Sequence, residues 1–181
     1  MNIETPLKKE DIKKLRAGDI VKISGIIYTA RDAAHKKMCE LLEKGQKLPF
    51  EPEGAVIYYV GPTPEKPGQV IGSAGPTTSG RMDAYTPLLL SAGVKGMIGK
   101  GERSGKVRES IIENKAVYFA AAGGAAALIS RSIISSKVIA YEELGTEAVR
   151  ELTVRDFPVI VINDIYGNDL YAEGQKKYRE E

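Results

Sequence analysis

The chain has 181 residues, 43% of them hydrophobic and 28% charged, which is an ordinary soluble composition long enough for one domain with a sizeable core. A formal net charge of +2, with no basic run interleaved with aromatics, argues against nucleic acid or a membrane surface as a partner. One cysteine, Cys39, and one histidine, His35, exclude an intrachain disulfide and a zinc or iron–sulfur site built from this chain alone.

Met1 to Lys9 carries no secretory signal, and no run approaches the roughly 20 apolar residues that span a bilayer, so the expected location is the cytoplasm. Thr5 to Ala17 is polar, with Leu7, Ile12 and Leu15 spaced for a short helix, acids early and Lys13-Lys14 late. Ile20 to Thr29 alternates and is β-branched, which predicts a strand with Gly25 as a bulge. Asp32 is placed to cap a helix running to Glu43, with Ala34, Met38, Leu41 and Leu42 on one stripe and Gly45 as its stop. Arg31 at the strand end and His35 one turn into the helix can both face the crevice where open α/β sheets bind ligands.

Ala55 to Val60 reads as a strand, the proline-rich Gly61 to Gly68 as a turn, and Gln69 to Ile71 as the returning arm of a β-hairpin. Gly72 to Gly80 is a tight polar loop that feeds a helix, with Ser79 as N-cap and Pro87 delaying or kinking the helix. Such a loop offers backbone N–H groups to an anion, and Arg81 adds a planar cation suited to a carboxylate or phosphate. The same residues also suit a plain capped turn.

Val94 to Ile98 is a short strand, followed at once by Gly99-Lys100-Gly101. A P-loop needs glycine where Val94 stands and Ser or Thr where Gly101 stands; a dinucleotide fingerprint needs glycine at Ser104. Both fail, and spacing alone leaves Lys100 a solvated loop lysine. Ser104 to Asn114 has a helix pattern and Ala116 to Phe119 that of a buried strand. Gly123-Gly124 fits either close packing or a phosphate or substrate loop. Ser136 to Ala140, Leu152 to Phe157 and Pro158 to Asp164 read as strands, Glu147 to Arg150 as a helical turn, and the tail from Leu170 as a polar helix or a frayed end. Strands alternating with short helices, with a hairpin among them, predict a mixed-sheet α/β domain.

Three motifs in register carry a resemblance that spans essentially the whole chain. They are Tyr28-Thr29-Ala30-Arg31-Asp32-Ala33-Ala34-His35, Gly75-Pro76-Thr77-Thr78-Ser79-Gly80-Arg81-Met82-Asp83 and Gly96-Met97-Ile98-Gly99-Lys100-Gly101. With these the sequence resembles the β subunit of class I iron–sulfur fumarate hydratase, and equally the C-terminal domain of the one-chain form. L(+)-tartrate dehydratase β subunits share the frame; Gly80 and Asp83 lean toward the fumarate enzymes.

The resemblance implies one swivelling β/β/α domain over residues 1–181. It implies an α-subunit partner whose three cysteines hold a [4Fe–4S] cluster, with no cluster or metal bound by this chain and the active site between the two. The implied activity is the reversible hydration of fumarate to (S)-malate, a step of the tricarboxylic acid cycle, absent without the α subunit; a higher oligomer is a further possibility. Arg31, Arg81 and Lys100 map to substrate binding and Thr77 to the base, while His35 matches an active-site histidine of the tartrate relatives. A threonine hydroxyl is a weak base unless activated, and His35 has the better intrinsic pKa, so both stand as proton-transfer candidates. Thr78, Asp32 and Asp83 are supporting residues, the two acids as N-cap and arginine-orienting groups. Two other readings stand beside this one: the β subunit of a tartrate or related hydroxy-dicarboxylate dehydratase, and a stand-alone anion-binding module.

Overall fold

The computed structural model describes residues 1–65, 67–121 and 126–178. Seven strands form one mixed sheet: β1 (Asn2–Glu4), β2 (Ile20–Thr29), β3 (Val56–Tyr58), β4 (Gly96–Gly99), β5 (Val117–Ala120), β6 (Ile133–Ala140) and β7 (Val149–Asn163). Their order is β1-β2-β3-β4-β5-β7-β6, and β2 also pairs with β7. The strands β2, β3, β4, β5 and β7 therefore close into a five-stranded barrel. Neighbours among β2 to β5 run parallel, and β7 is antiparallel to β2, β5 and β6. The helices are α1 (Lys9–Ile12), α2 (Asp32–Glu43), α3 (Thr86–Ser91), α4 (Gly105–Asn114), α5 (Ala126–Arg131) and α6 (Leu170–Tyr178). No helix among the described residues is long and apolar enough to cross a membrane.

Strand alternation sorts the core into two sets. Val56, Tyr58, Ile98, Val117 and Phe119 join Ile23, Ile27, Leu152, Phe157 and Val161 on one face. Ile57, Tyr59, Met97 and Tyr118 point the other way, against Met38 of α2, Leu89 and Leu90 of α3, and Val107 and Ile111 of α4. The first face fills the ring of strands; the second seats the helices outside it. Tyr58 meets Phe157 edge to face across the interior, with centroids 5.2 Å apart, a geometry worth about 0.5–1.5 kcal/mol beyond the buried area.

Closure of the sheet rests on β7. Its first half pairs with β6 and β2 and its last residues with β5, so one strand of 15 residues serves three neighbours. The predicted bulge is present in β2: the β2–β7 register shifts between Ile23 and Gly25, and Gly25 has φ +112°. A side chain there would run into Thr5.

Several expectations are revised. The hairpin does not form, because β2 and β4 occupy both edges of β3, and Gln69–Ile71 lies outside every strand. The loop after β3 instead closes on itself, with the Thr63 N–H donating to the Ser73 carbonyl at 3.0 Å. Glu147–Arg150 is not a helical turn: the 3₁₀ stretch covers Glu142–Glu147, and β7 starts at Val149, which is fully buried. The two predicted strands Leu152–Phe157 and Pro158–Asp164 are one, Pro158 being tolerated at an exposed position opposite Lys22. Strand β1 has no counterpart in the sequence reading. Helix α3 starts late, as expected, with Pro87 in its first turn. Gly123-Gly124 lies outside the described residues.

Candidate active site

The parallel strands β2, β3 and β4 end on the same side of the sheet, and each delivers a predicted site residue or its support. Arg31 follows β2, Gly61 follows β3 and Lys100 follows β4. The polar loop after residue 71 returns to this rim and is stitched there by backbone bonds. The Thr77 N–H donates to the Tyr59 carbonyl at 2.8 Å and the Ser79 N–H to the Lys100 carbonyl at 2.9 Å. Thr78 forms a parallel bridge with Lys100. Thr77, Thr78 and Lys100 are thus held together by the main chain, and Arg81 sits one turn further on, in the 3₁₀ turn Ser79–Met82.

Ser79 is not the N-cap expected of it. Thr78 takes that position, and Ser79 is fully buried, where its hydroxyl donates to the Tyr118 hydroxyl at 2.9 Å. Tyr118 spends its own proton on the Gly101 carbonyl at 2.8 Å, which fixes the direction of the chain. A side chain at Gly99 would run into Ser79 Oγ and Tyr59, so the close approach of the two loops requires glycine there.

Arg31 lies on the β2 side of this rim. Its Nη2 is 3.2 Å from Glu147 Oε1, its Nε 3.7 Å from Asp32 Oδ1, and its side chain packs on Gly61, where a Cβ would come within 3.1 Å of Nη1. Asp32 is the first residue of α2 rather than its cap; Arg31 is the N-cap and contributes no side-chain cap bond. The side chains of Arg81 and Lys100 are exposed and have no ion-pair partner among the described residues.

His35, in the first turn of α2, is fully buried and edge-on to Tyr59, with ring centroids 5.2 Å apart. Its Nδ1 lies 2.8 Å from the Arg31 carbonyl. A carbonyl only accepts, so Nδ1 carries the proton and Nε2 is left without a partner. Burial pushes its pKa from 6.5 down to about 4, and the charge of Arg103 adds to that, so the ring is neutral near pH 7.

Asp83 is ion-paired with Arg103. The Arg103 Nε donates to Asp83 Oδ1 at 2.8 Å and its Nη2 to Thr86 Oγ1 at 2.7 Å. The guanidinium also lies against the rings of Tyr59 and Tyr118. Burial works against its charge, but Tyr59, Asp83 and Tyr118 outweigh this and lift its pKa above the ordinary arginine value. Sequence reasoning missed Arg103, Tyr118 and Glu147. Nothing local marks them, since Asp83–Arg103 spans 20 residues and Arg31–Glu147 joins distant elements.

The one thiol does not suit a cluster. Cys39 is buried, donates weakly to the Tyr85 carbonyl, and has its pKa pushed up to about 11 by burial and Glu43. No group of three His, Cys, Asp or Glu residues that could hold a metal occurs among the described residues.

The family model described as Fumarase C-terminus matches residues 1–174. A putative L(+)-tartrate dehydratase subunit beta from Methanocaldococcus jannaschii is 42% identical over 180 residues, covering 96% of this chain and 92% of its own length. Fumarate hydratase 2 of Leishmania major is 36% identical over 177 residues, 96% of this chain but 31% of that protein. The anaerobic class I fumarate hydratase of Escherichia coli K12 is 39% identical over 153 residues, or 83% of this chain and 28% of that protein. The chain spans less than a third of these two fumarate hydratases and nearly all of the tartrate dehydratase subunit.

Proposed function

We propose, since this chain belongs to the fumarase C-terminus family, that it is the β subunit of a two-chain hydro-lyase that interconverts fumarate and (S)-malate. The observation that carries the reading is the stitched rim. Lys100 and the Thr77–Arg81 turn are joined main chain to main chain, and their two cations have no counter-ion among the described residues. Fumarate and malate are dianions. In this reading Arg81 and Arg31 take carboxylates through their planar forks, and Lys100 acts as a point charge.

Adding water across the fumarate double bond puts hydroxyl on one carbon and a proton on its neighbour. Of the two proton-transfer candidates, Thr77 is partly exposed on the rim whereas His35 is buried with its Nδ1–H turned to a carbonyl. That supports giving the proton on carbon to Thr77. His35 then fixes the backbone of Arg31. One buried thiol cannot carry an iron–sulfur cluster. In this proposal a partner α subunit, meeting this chain in the cytoplasm, supplies the cluster's ligands.

A second reading, the β subunit of a tartrate-type dehydratase, is favoured by the 42% identical relative of nearly the same length. The test is anaerobic co-expression with a cysteine-bearing α subunit, followed by fumarate absorbance on adding malate. The proposal expects activity from the pair, none from either chain alone, and its loss in Arg81→Ala. A pair that dehydrates tartrate and ignores malate selects the second reading. A pair that ignores both overturns both.

A further inference from the structure

Arg103 has a side chain that is 0% exposed, and its hydrogen bonds go to Asp83, Thr86, Tyr59 and Met97, none of them mapped to substrate. Its contacts tie together the two segments that carry exposed cations. At one end, the Ser79 N–H bonds the Lys100 carbonyl, and Ser79 Oγ, the Tyr118 hydroxyl and the Gly101 carbonyl form a buried relay. At the other end, Asp83 sits immediately after the 3₁₀ turn and accepts twice: from Arg103 Nε at 2.8 Å and from the Ser104 N–H at 2.7 Å. Arg81 lies between Ser79 and Asp83 on one side of this closed circuit. Lys100 lies before Arg103 on the other. Thr86, at the start of α3, holds the far side of the guanidinium through Nη2, and its own hydroxyl donates to the Met82 carbonyl at the end of the 3₁₀ turn at 2.8 Å, so the guanidinium is joined to that turn through Thr86 as well as through Asp83.

We infer that the Asp83–Arg103 ion pair is a positioning clamp that sets the separation of Arg81 and Lys100, and through it the affinity for a dicarboxylate. The inference rests on the proposed substrate class. Its physical basis is the planar fork, which reaches the carboxylate of Asp83 and the hydroxyl of Thr86 at once; a lysine keeps the charge but cannot span both. Loosening the clamp slackens the join between the 3₁₀ turn and the loop after β4, while the Ser104 N–H still holds Asp83 and both cations keep their charge. The consequence falls on the spacing of two charges that must meet two carboxylates, and misplacement of about 1 Å is enough to weaken such an array strongly.

The test compares Arg103→Lys with a conservative core variant away from the rim, Ile111→Val in α4, both in the full chain reconstituted with its α subunit and with the melting temperature of each measured alongside. The clamp predicts that Arg103→Lys raises KM for the dicarboxylate about tenfold or more, and that Ile111→Val leaves KM within twofold. Equal KM values in the two variants overturn the inference and leave Arg103 a structural residue only. Should the wild-type pair turn over no dicarboxylate, the functional reading fails on its own, and the clamp is then read from hydrogen exchange of the Ser79 amide, which donates to Lys100. The clamp expects that amide to exchange at least tenfold faster in Arg103→Lys than in Ile111→Val. Equal exchange rates overturn it.

Discussion

His35 is a buried neutral imidazole, and burial of that kind makes stability depend on pH in a predictable way. Its pKa is about 4 in the folded chain against 6.5 for an unperturbed histidine. Between those values the unfolded chain binds a proton that the folded chain refuses, so the unfolded state binds more protons and stability rises with pH. The contribution is complete above about pH 6.5 and drains away as pH falls toward 4. From the two pKa values the loss is about 0.8 kcal/mol at pH 6, about 2 kcal/mol at pH 5 and about 3 kcal/mol at pH 4. Carboxylates titrate over the same range, so the wild-type curve alone is not diagnostic. The comparison is with His35→Asn, which keeps a short donor near the Arg31 carbonyl and removes the titrating ring. Whatever the substitution costs in packing is the same at every pH. Urea unfolding of both proteins from pH 4 to 7.5 gives the difference in unfolding free energy. It should shrink by about 3 kcal/mol from the top of the range to the bottom, equivalent to roughly 6–12 °C in melting temperature for a chain of this size. A difference that stays flat to within about 0.5 kcal/mol would refute a neutral buried His35 and reopen it as a group that titrates in the native state.

Two further expectations follow from the loops. Gly99→Ala drives a methyl group into Ser79 Oγ and Tyr59, so thermal unfolding should show a loss of about 1–3 kcal/mol; an unchanged melting temperature would mean that the two loops do not approach as described. Cys39 is buried with its pKa pushed up to about 11, so iodoacetamide at pH 8 should label it at least tenfold more slowly in the native chain than in urea. Equal labelling rates would place the thiol at the surface.

The sequence made the strands around the site legible because their alternation is strong. Ile20–Thr29, with its glycine bulge, is where the pattern placed it. The loops were legible through their punctuation, the glycine, proline and hydroxyl residues between Gly72 and Gly80 and around Lys100. What the pattern lacked was pairing. Gln69–Ile71 has the composition of a strand, but β3 has no free edge to offer it. The barrel depends on β7 serving β2, β5 and β6 along one 15-residue run, a non-local fact that no window of residues contains. Ser79 shows the same limit on a smaller scale. Its neighbours in sequence suggest a cap, while its partner, Tyr118, lies 39 residues away. Nothing in the sequence around Asp83 marks Arg103, 20 residues on, as its partner.

The cations of the site divide by burial, and the division bears on how the site works. Arg103 and Arg31 are enclosed or partly enclosed, and each has a carboxylate within 3.2 Å. Arg81 and Lys100 are exposed and unpaired among the described residues. In open water that is inexpensive, because the dielectric constant of bulk water holds the repulsion of two like charges even at about 4 Å to about 1 kcal/mol. If a second protein surface closes over the rim and lowers the effective dielectric constant to about 20, their repulsion rises about fourfold, and each charge also loses hydration. Closure over an empty rim is then opposed, and closure over a dianion is favoured, because the anion supplies the two charges the rim lacks. On the proposed reading, substrate binding and docking of the partner subunit therefore reinforce each other, and by linkage each must tighten the other by the same factor.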